Sequence, residues 1–414
     1  MDRRCLWRGA RLQRPREAWD PPYTREVSPG KKARKRVDKR ATTDFMAIIS
    51  EGDKAARDEM IRVGILHKWQ GETCLKCGRG KYGVRNAKGL HVCGHGKCHK
   101  KVSEWHASCF RNSGMPTQKC LALAVDYAAR LSPTQASIRE RVGLKTTSKY
   151  WAYFRAAEAA KGLELRDNTL FEGTPDNPCE VEVDECAVKK KYVRDPYLGQ
   201  IVGTWHYCVF AMKKRGSRRG VAYMMKPRFV EASASGKPSP PRPPSEEELG
   251  PWIARRLGQW CVVHADGAQA YPAIIAEILK ATNNVYLDQV DHSGYQFTRF
   301  HRHTVRGQVY PHSRIRVTAG TNFVEGWWDQ LKHNCIPEEI GPCVPVLEQY
   351  VLGLLWRTFS SGDPTEDLGS AVQCFMKRVD FHICTLREEL QEQDDQELQD
   401  ALLAWFLPAG EDED

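Results

Sequence analysis

The sequence lacks any run of about 18 apolar residues, the length that a transmembrane helix requires. Its charged opening, MDRRCLWRGARLQRPR, also lacks the apolar core of a secretory signal peptide. We therefore expect an intracellular protein with no membrane partner, and transit into an organelle remains open.

Cysteine is too sparse for a secreted disulfide scaffold. There are 15 cysteines in 414 residues, whereas disulfide scaffolds are short and cysteine-dense. Most of the thiols are therefore expected to be reduced or to bind metal. The length allows two or three domains of about 100 to 200 residues each.

Charge is unevenly distributed along the chain. The formal net charge is +10 at pH 7, GKKARKRVDKR lies near the start, and the end is acidic. A positive balance favours polyanionic partners, because neutralising phosphates releases bound counterions. The alternative is that the charge only provides solubility. We expect a basic, largely disordered arm over residues 1–65.

Four cysteines between residues 66 and 112 have the spacing of a zinc ribbon. They form two pairs in TCLKCGRGKYGVRNAKGLHVCGHGKCHKK, each followed by a turn rich in glycine and lysine. Zinc takes four soft ligands in a tetrahedron, and two pairs on adjacent hairpin turns supply them. The second pair is wider than usual, so His95 or His99 could replace a cysteine. The predicted ligands are Cys74, Cys77, Cys93 and Cys98.

Residues 113–170 have a helical pattern. Ser132, Pro133 and Gln135 form a predicted capping box at the start of a second helix, which ends at Gly143. A third helix is expected from about residue 146 to residue 160. The side chains expected to be exposed or half exposed on it, or just before it, are Lys145, Lys149, Tyr150 and Arg155. This order is typical of a helix-turn-helix that reads DNA, but helical hairpins without that function share the pattern.

Residues 175–362 are expected to form an α/β domain. The predicted order is three strands, a helix, a strand and a helix, then a short strand and the helix of TNFVEGWWDQLKH. A Pro/Ser insertion interrupts this domain at residues 232–244. The succession predicts a ribonuclease H-like mixed sheet with flanking helices. A helical acidic tail is expected over residues 363–414.

Three carboxylates in this domain could meet. Asp184 lies near the end of the first strand, Asp266 ends the fourth, and Glu325 lies on the late helix. Three such groups can hold two divalent ions about 3.5 to 4 Å apart. In an in-line phosphoryl displacement, one ion activates the attacking oxygen and the other stabilises the leaving 3′ oxygen. Magnesium prefers such hard oxygen ligands. An isolated aspartate at a strand end is more often only a turn residue.

The stretch from Lys68 to Phe359 resembles a known family. The shared features are VEVDE, HADG followed by Tyr, the DH of VDHS, TNFVEGWWDQLK and a helix ending in LLWRTF. They resemble the transposases of bacterial insertion sequences with an N-terminal zinc ribbon and their eukaryotic Merlin relatives. The resemblance implies a DDE, integrase-like domain with the acid triad Asp184, Asp266 and Glu325.

Neighbouring residues receive smaller roles. Some relatives place Asn at the third metal position, so Asn322 is the alternative to Glu325, which we prefer because a carboxylate binds magnesium more strongly. Lys332 is expected to touch the DNA backbone or to be solvated. His292 is expected to position DNA or water, or to be structural. Glu185 should point to the opposite face of its strand from Asp184.

The two tryptophans of the late helix have a predicted role as well. Trp327 and Trp328 are expected to anchor that helix on the sheet, and the alternative is that one of them stacks on an unpaired base. The Pro/Ser insertion, the basic arm and the acidic tail depart from the bacterial pattern and suggest a eukaryotic or large-virus version.

The predicted function is metal-dependent cleavage of transposon ends and strand transfer into target DNA. The implied cofactors are two Mg²⁺ or Mn²⁺ ions and a structural Zn²⁺. The implied partners are double-stranded DNA, as terminal inverted repeats and target, and further copies of the chain. Two alternatives are a domesticated DNA-binding protein without catalysis and a ribonuclease H-like nuclease without strand transfer. The basic run Lys31–Arg36 is consistent with a nuclear location in a eukaryote, and otherwise we expect a cytoplasmic, DNA-associated protein.

Overall fold

The computed structural model describes residues 45–375 with gaps. The gaps are residues 46, 87, 107, 112, 176, 234–239, 242–243, 267, 269, 283, 290–298, 305–313, 320, 333–335, 337–340 and 361–362. The basic run Lys31–Arg36, most of the Pro/Ser insertion and the acidic end of the chain lie outside the described residues. Within the described ranges, every helix is too short or too polar to span a bilayer.

The chain folds into both helices and strands. The helices are α1 (Asp53–Val63), α2 (Thr117–Ala128), α3 (Pro133–Glu140), α4 (Leu144–Asn168), α5 (Glu246–Arg256), α6 (Ala270–Thr282), α7 (Asn322–Gln330) and α8 (Val344–Phe359). The strands are β1 (Leu90–Val92), β2 (Lys101–Ser103), β3 (Cys179–Arg194), β4 (Ile201–Lys214), β5 (Gly220–Met224), β6 (Arg228–Glu231), β7 (Cys261–Ala265), β8 (Val285–Gln289), β9 (Arg299–Thr304) and β10 (Arg314–Ala319). A further helical segment covers residues 364–375.

The largest sheet is mixed. Its strand order is β5-β4-β3-β7-β8, and β6 pairs with the outer part of β4. β3, β4 and β5 are antiparallel neighbours, whereas β7 runs parallel to β3 and β8 parallel to β7. Helices pack on both faces, so the α/β architecture is compatible with the predicted ribonuclease H-like fold.

The central strand β3 is covered on both sides. Val181 and Val183 pack into the core formed with α5 and α6. Cys186 and Val188 pack into the core formed with α7 and α8. Because side chains alternate along a strand, Asp184 shares a face with Cys186. We call this side of the sheet, the side of β3 that bears Asp184 and Cys186, the α7 face.

The helices α1 to α4 build a separate core, and the segment at residues 364–375 packs into it. A Cβ atom added at Gly369 would lie 1.7 Å from the carbonyl oxygen of Val63, so the two segments touch through their backbones. Helix α4 also approaches α8 closely, since a Cβ atom at Gly162 would lie 2.0 Å from the Leu352 carbonyl oxygen. The helical region is therefore joined to the sheet through α4 and α8.

Local predictions in the helical region have mixed outcomes. The capping box is confirmed, because Ser132 and Gln135 exchange side-chain and backbone hydrogen bonds. Helix α4 runs well past the predicted end, to Asn168. The expected exposure of Tyr150 is wrong, since only 5 % of it is exposed and it packs on Phe110. The helix-turn-helix function stays a prediction.

The predicted domain boundaries after residue 65 and after residue 362 do not separate independent packing units. Helix α1 lies inside the stretch expected to be a largely disordered arm, and its Met60 is fully buried. The segment at residues 364–375 was expected to begin a tail, but Leu368 and Phe375 are buried in the same core. The two ends of the described chain therefore contribute to one helical unit.

Candidate active site and metal centre

The three predicted acids lie where β3, β7 and α7 meet. Asp184 is in β3, Asp266 directly follows β7, and Glu325 is in the first turn of α7. β7 runs parallel to β3 and pairs with it as far as Glu182, so Asp266, which follows β7, lies beside Asp184 where this pairing ends. The prediction that Asp184 lies near the end of its strand is wrong, because β3 continues to Arg194. Helix α7 packs across β3 and β4. The fold thus brings the three predicted acids into one region from three distant parts of the sequence.

Asp184 lies within electrostatic range of the other two acids. Burial raises the pKa of Asp184 to about 7, and the charges of Asp266 and Glu325 add to the rise. An indole hydrogen bond from Trp328 opposes it. Two neighbouring carboxylates raise the free energy of ionising a third, and a bound cation would lower it.

The carboxylate oxygens are not gathered to the spacing of ligands on a single ion. In the described part of the chain, only a group of cysteines brings three or more potential ligand atoms within 4.8 Å of one another. Mutual repulsion of three like charges is a physical reason for this wider spacing.

The tryptophans of α7 hold the helix on the sheet, as predicted. Trp327 is 2 % exposed and lies against Gly220, where an added Cβ atom would be 2.1 Å from its ring. Trp328 is 7 % exposed, and its Nε1–H donates to Asp184 Oδ2 at 2.7 Å. This burial leaves neither ring positioned as an open platform for a base. Trp328 instead orients one of the predicted metal ligands.

Glu182 is a functional candidate that the sequence analysis missed. Its side chain is 1 % exposed, and Oε2 accepts hydrogen bonds from the backbone N–H groups of Phe323 at 2.7 Å and Val324 at 3.1 Å. These are first-turn donors of α7, whose N-cap residue, Thr321, makes no side-chain cap. A carboxylate at this position satisfies donors that a helix leaves open and complements its dipole.

The Glu182 carboxylate is held from its other side by a buried ionic network. Arg215 donates from Nε to Glu182 at 2.8 Å and from Nη1 to Glu180 at 2.9 Å. His264 Nε2 lies 3.0 Å from Glu180, and its Nδ1 lies 3.6 Å from Asp288. The network runs from β8 through β7 and β3 to the start of α7. A pattern of acids at alternate positions, VEVD, was the only signal for it in the sequence.

Glu185 points away from the triad side, as the strand period predicts. Its carboxylate accepts a hydrogen bond from the buried hydroxyl of Tyr271, in α6. Burial raises the pKa of Glu185 to about 8; the Tyr271 hydrogen bond opposes this rise, and the charges of Asp184 and Asp266 contribute to it. Glu185 therefore lies on the opposite face of β3 and interacts with Asp184 and Asp266 through like-charge repulsion.

Three other predicted residues have different outcomes. Lys332 is exposed and lies near the thiol of Cys186, two residues after Asp184 in β3; burial raises the pKa of that thiol, and Lys332 opposes the rise. Asn322 begins α7, and its side chain lies outside the described part of the structure. His292 also lies outside the described residues. The choice between Asn322 and Glu325 therefore stays a prediction, although Glu325 is held by a hydrogen bond from Thr321 Oγ1 at 3.0 Å.

The four predicted zinc ligands form a cluster. Cys74 Sγ lies 3.6 Å from Cys98 Sγ, and Cys77 Sγ lies 3.7 Å from Cys93 Sγ. Tetrahedral zinc with Zn–S bonds of about 2.3 Å separates its sulfur ligands by about 3.8 Å. The four cysteines could therefore bind a structural metal such as zinc.

The backbone around the cysteines also fits a metal. Backbone N–H groups point at the sulfurs, with Lys76 N 3.4 Å from Cys74 and His95 N 3.4 Å from Cys93. Gly80 leaves room for the cluster, because an added Cβ atom would lie 2.4 Å from Cys93 Sγ. Neither His95 nor His99 belongs to the cluster, so the alternative of a histidine ligand is not supported.

Comparison of the chain with protein-family models, with curated proteins and with solved structures gives no significant match. The functional interpretation of both sites therefore depends on their geometry and on the sequence motifs.

Proposed function

We propose that the protein is a metal-dependent DNA transposase of the DDE type, which cleaves transposon ends and joins them to target DNA. The observation that carries this proposal is the coupling of Asp184 with Asp266 and Glu325 at the meeting point of two parallel strands and a helix. A ribonuclease H-like fold would supply this arrangement, and the observed strand order supports that finer assignment.

The acid cluster fits two divalent ions better than one. Its oxygens are hard ligands, and ions about 3.5 to 4 Å apart do not require all three carboxylates on the same metal. When bound, Mg²⁺ or Mn²⁺ would activate the attacking oxygen and stabilise the leaving oxygen of the phosphodiester. Asp184, Asp266 and Glu325 would hold these ions.

The chain's own residues fix the ligands before any ion binds. Trp328 holds one oxygen of Asp184, Ala268 N–H donates to Asp266 Oδ1 at 3.1 Å, and Thr321 holds Glu325. Glu182 fixes the start of α7, which sets the distance of Glu325 from the strands. Such preorganisation lowers the cost of assembling the site for each reaction.

The remaining parts of the chain suit DNA binding. The cysteine cluster and the α2 to α4 helices would bind the terminal inverted repeats as a zinc ribbon and a helix-turn-helix. The net positive charge favours the phosphate backbone. A homo-oligomer is expected because two transposon ends must be handled together, and Lys31–Arg36 would direct a eukaryotic protein to the nucleus.

The test uses DNA that carries the repeats flanking the gene. Asp184→Asn and Glu325→Gln should abolish Mg²⁺-dependent end cleavage while DNA affinity is preserved. Asp329→Asn is the matched control, because it changes an exposed acid one turn beyond Glu325 on the same helix and should leave cleavage within about two-fold, as expected of a surface substitution.

Each other outcome identifies a rival function. A wild-type protein that binds the DNA but never cleaves it would support a domesticated DNA-binding protein. Cleavage without joining of a 3′ hydroxyl donor to a target would support a ribonuclease H-like nuclease. Cleavage that survives both Asp184→Asn and Glu325→Gln would refute the acid cluster as the active site.

A further inference from the structure

The β3–β4 hairpin extends far beyond the rest of the sheet. β7 pairs with β3 only from Cys179 to Glu182, and β5 pairs with β4 only from Val209 to Lys213. Past these points, β3 continues to Arg194 and β4 returns from Ile201. Among the described residues, β6 is the further strand that pairs with this part of the hairpin. The strand that carries Asp184 thus projects out of the acid cluster as an arm.

The register assigns two lysines of this arm to the α7 face. Directly opposed residues of antiparallel strands share a face. Asp184 opposes Ala211 in β4. Because the side chains of β4 alternate between the two faces without a bulge from Ala211 to Trp205, Tyr207 and Trp205 lie on the same face as Ala211. Lys189 opposes Tyr207, and Lys191 opposes Trp205, after a bulge in β3. Both lysines therefore lie on the same side of the sheet as Asp184.

An aromatic pair is exposed beside these lysines. Trp205 is 37 % exposed and Phe229 is 39 % exposed, with ring centroids 5.4 Å apart. Phe229 lies against Gly203, where an added Cβ atom would be 2.1 Å from the ring, so the pair is seated on the strand surface. Large exposed aromatic groups next to cations are typical of sites that take a base and its phosphate.

The basic track begins at the acid cluster. Lys332 follows α7, the helix that packs across β3 and β4 beside the acid cluster. On the arm, this face also carries the acid Glu231, opposite Gly203 at the outer end of β6. At about 3.3 Å per residue, Lys191 lies about 20 Å along β3 from Asp184. That distance corresponds to about six nucleotides of a stacked strand.

We propose that this arm binds an unpaired DNA strand leading away from the scissile phosphate, with bases on Trp205 and Phe229 and phosphates near Lys191. The proposal rests on the proposed function for the position of the scissile phosphate. The aromatic platform favours single-stranded over double-stranded DNA, because bases inside a duplex have no free faces to stack. The lysines favour a polyanion over an apolar protein partner, and the exposed aromatic pair favours DNA over an acidic protein.

The experiment measures the affinity of the full-length Asp184→Asn protein, which should bind DNA without cutting it. The probes are a duplex ending in an unpaired thymidine tail and the same duplex with a blunt end. The tail should increase affinity in this parent, and Trp205→Ala should reduce that advantage about ten-fold, as expected for the loss of one stacked base. A 2-aminopurine placed about six nucleotides into the tail should change its fluorescence when the parent binds, and Trp205→Ala should remove that change.

The neighbouring lysine provides a matched control. Lys190 and Lys191 are both exposed, and they point to opposite faces of β3. Lys191→Glu should remove most of the tail advantage and reduce its salt dependence, whereas Lys190→Glu should change the affinity less than about two-fold. Since Lys191 is outside the core, its variant decides the question even if Trp205→Ala does not fold.

The outcomes separate this proposal from the proposed function. A tail advantage that survives Lys191→Glu, or that Lys190→Glu reduces equally, overturns the arm as a DNA site, whether or not the wild-type protein cleaves DNA. An altered oligomeric state with unchanged DNA affinity in Trp205→Ala also overturns it and indicates a protein interface. A tail advantage that depends on Lys191 in a protein that never cleaves DNA supports the arm and refutes the transposase.

Discussion

The contact between Glu182 and α7 leads to a sharp stability prediction. Glu182→Gln keeps the shape of the side chain but removes its charge. The amide oxygen can face either Arg215 or the N–H groups of Phe323 and Val324, so one set of buried donors loses its acceptor. Hydrogen bonds to charged groups contribute about 1.5 to 3 kcal/mol each, and breaking a buried ion pair costs about 3 to 5 kcal/mol. We expect a loss of about 2 to 4 kcal/mol in the free energy of unfolding.

The assay combines two measurements. Urea unfolding followed by tryptophan fluorescence gives the free energy, and hydrogen exchange gives the protection of the Phe323 and Val324 amides, which should fall in Glu182→Gln. Glu180→Gln is the matched control, because Glu180 shares Arg215, is 23 % exposed, and pairs with His264 where Glu182 pairs with the backbone of α7. It should cost about 1 to 2 kcal/mol and leave these amides protected. Equal costs for the two variants, or unchanged protection in Glu182→Gln, would refute the role assigned to Glu182.

Two further predictions concern proton and metal binding. Without added Mg²⁺, the folded-state pKa of Asp184, about 7, exceeds its ordinary value of 3.8, so stability should fall as pH rises from about 4 to 7. Asp184→Asn should therefore have a free energy of unfolding about 1 to 3 kcal/mol higher than wild type at pH 8, and this difference should disappear below pH 4. An equal difference at both pH values would contradict the raised pKa of Asp184. At the cysteine cluster, purified protein should contain about one zinc per chain by elemental analysis, and Cys77→Ser should lose it. Cys109→Ser, outside the cluster, should retain it, and zinc retention by Cys77→Ser would exclude the proposed ligand set.

Local features were accessible from the sequence. The Cys74 and Cys77 pair and the Cys93 and Cys98 pair are close in the chain, so their spacing alone limits how the sulfurs can meet. The capping box at Ser132 is likewise a contact between residues three positions apart. Most of the strands and helices around the acids also followed from sequence, because alternating patterns and turns identify successive elements. The strands β6, β9 and β10 were not predicted.

Long-range packing was not accessible in the same way. Burial of Tyr150 depends on Phe110, and the place of α1 depends on the segment at residues 364–375, far along the chain. A helical pattern shows which residues share a face but not which element covers that face. The expected domain boundaries therefore missed the packing of these two segments in one core.

The sequence by itself determined the zinc-ligand spacing, the order of most helices and strands, and the identity of the acids that strands and a helix could present together. Only the tertiary structure decided that Trp328 binds Asp184 and that Glu182 holds the first turn of α7. The physical reason is that Glu182 and Phe323 are 141 positions apart. A buried carboxylate in a strand is tolerated only where the fold brings donors to it, and the sequence pattern does not specify which donors those are.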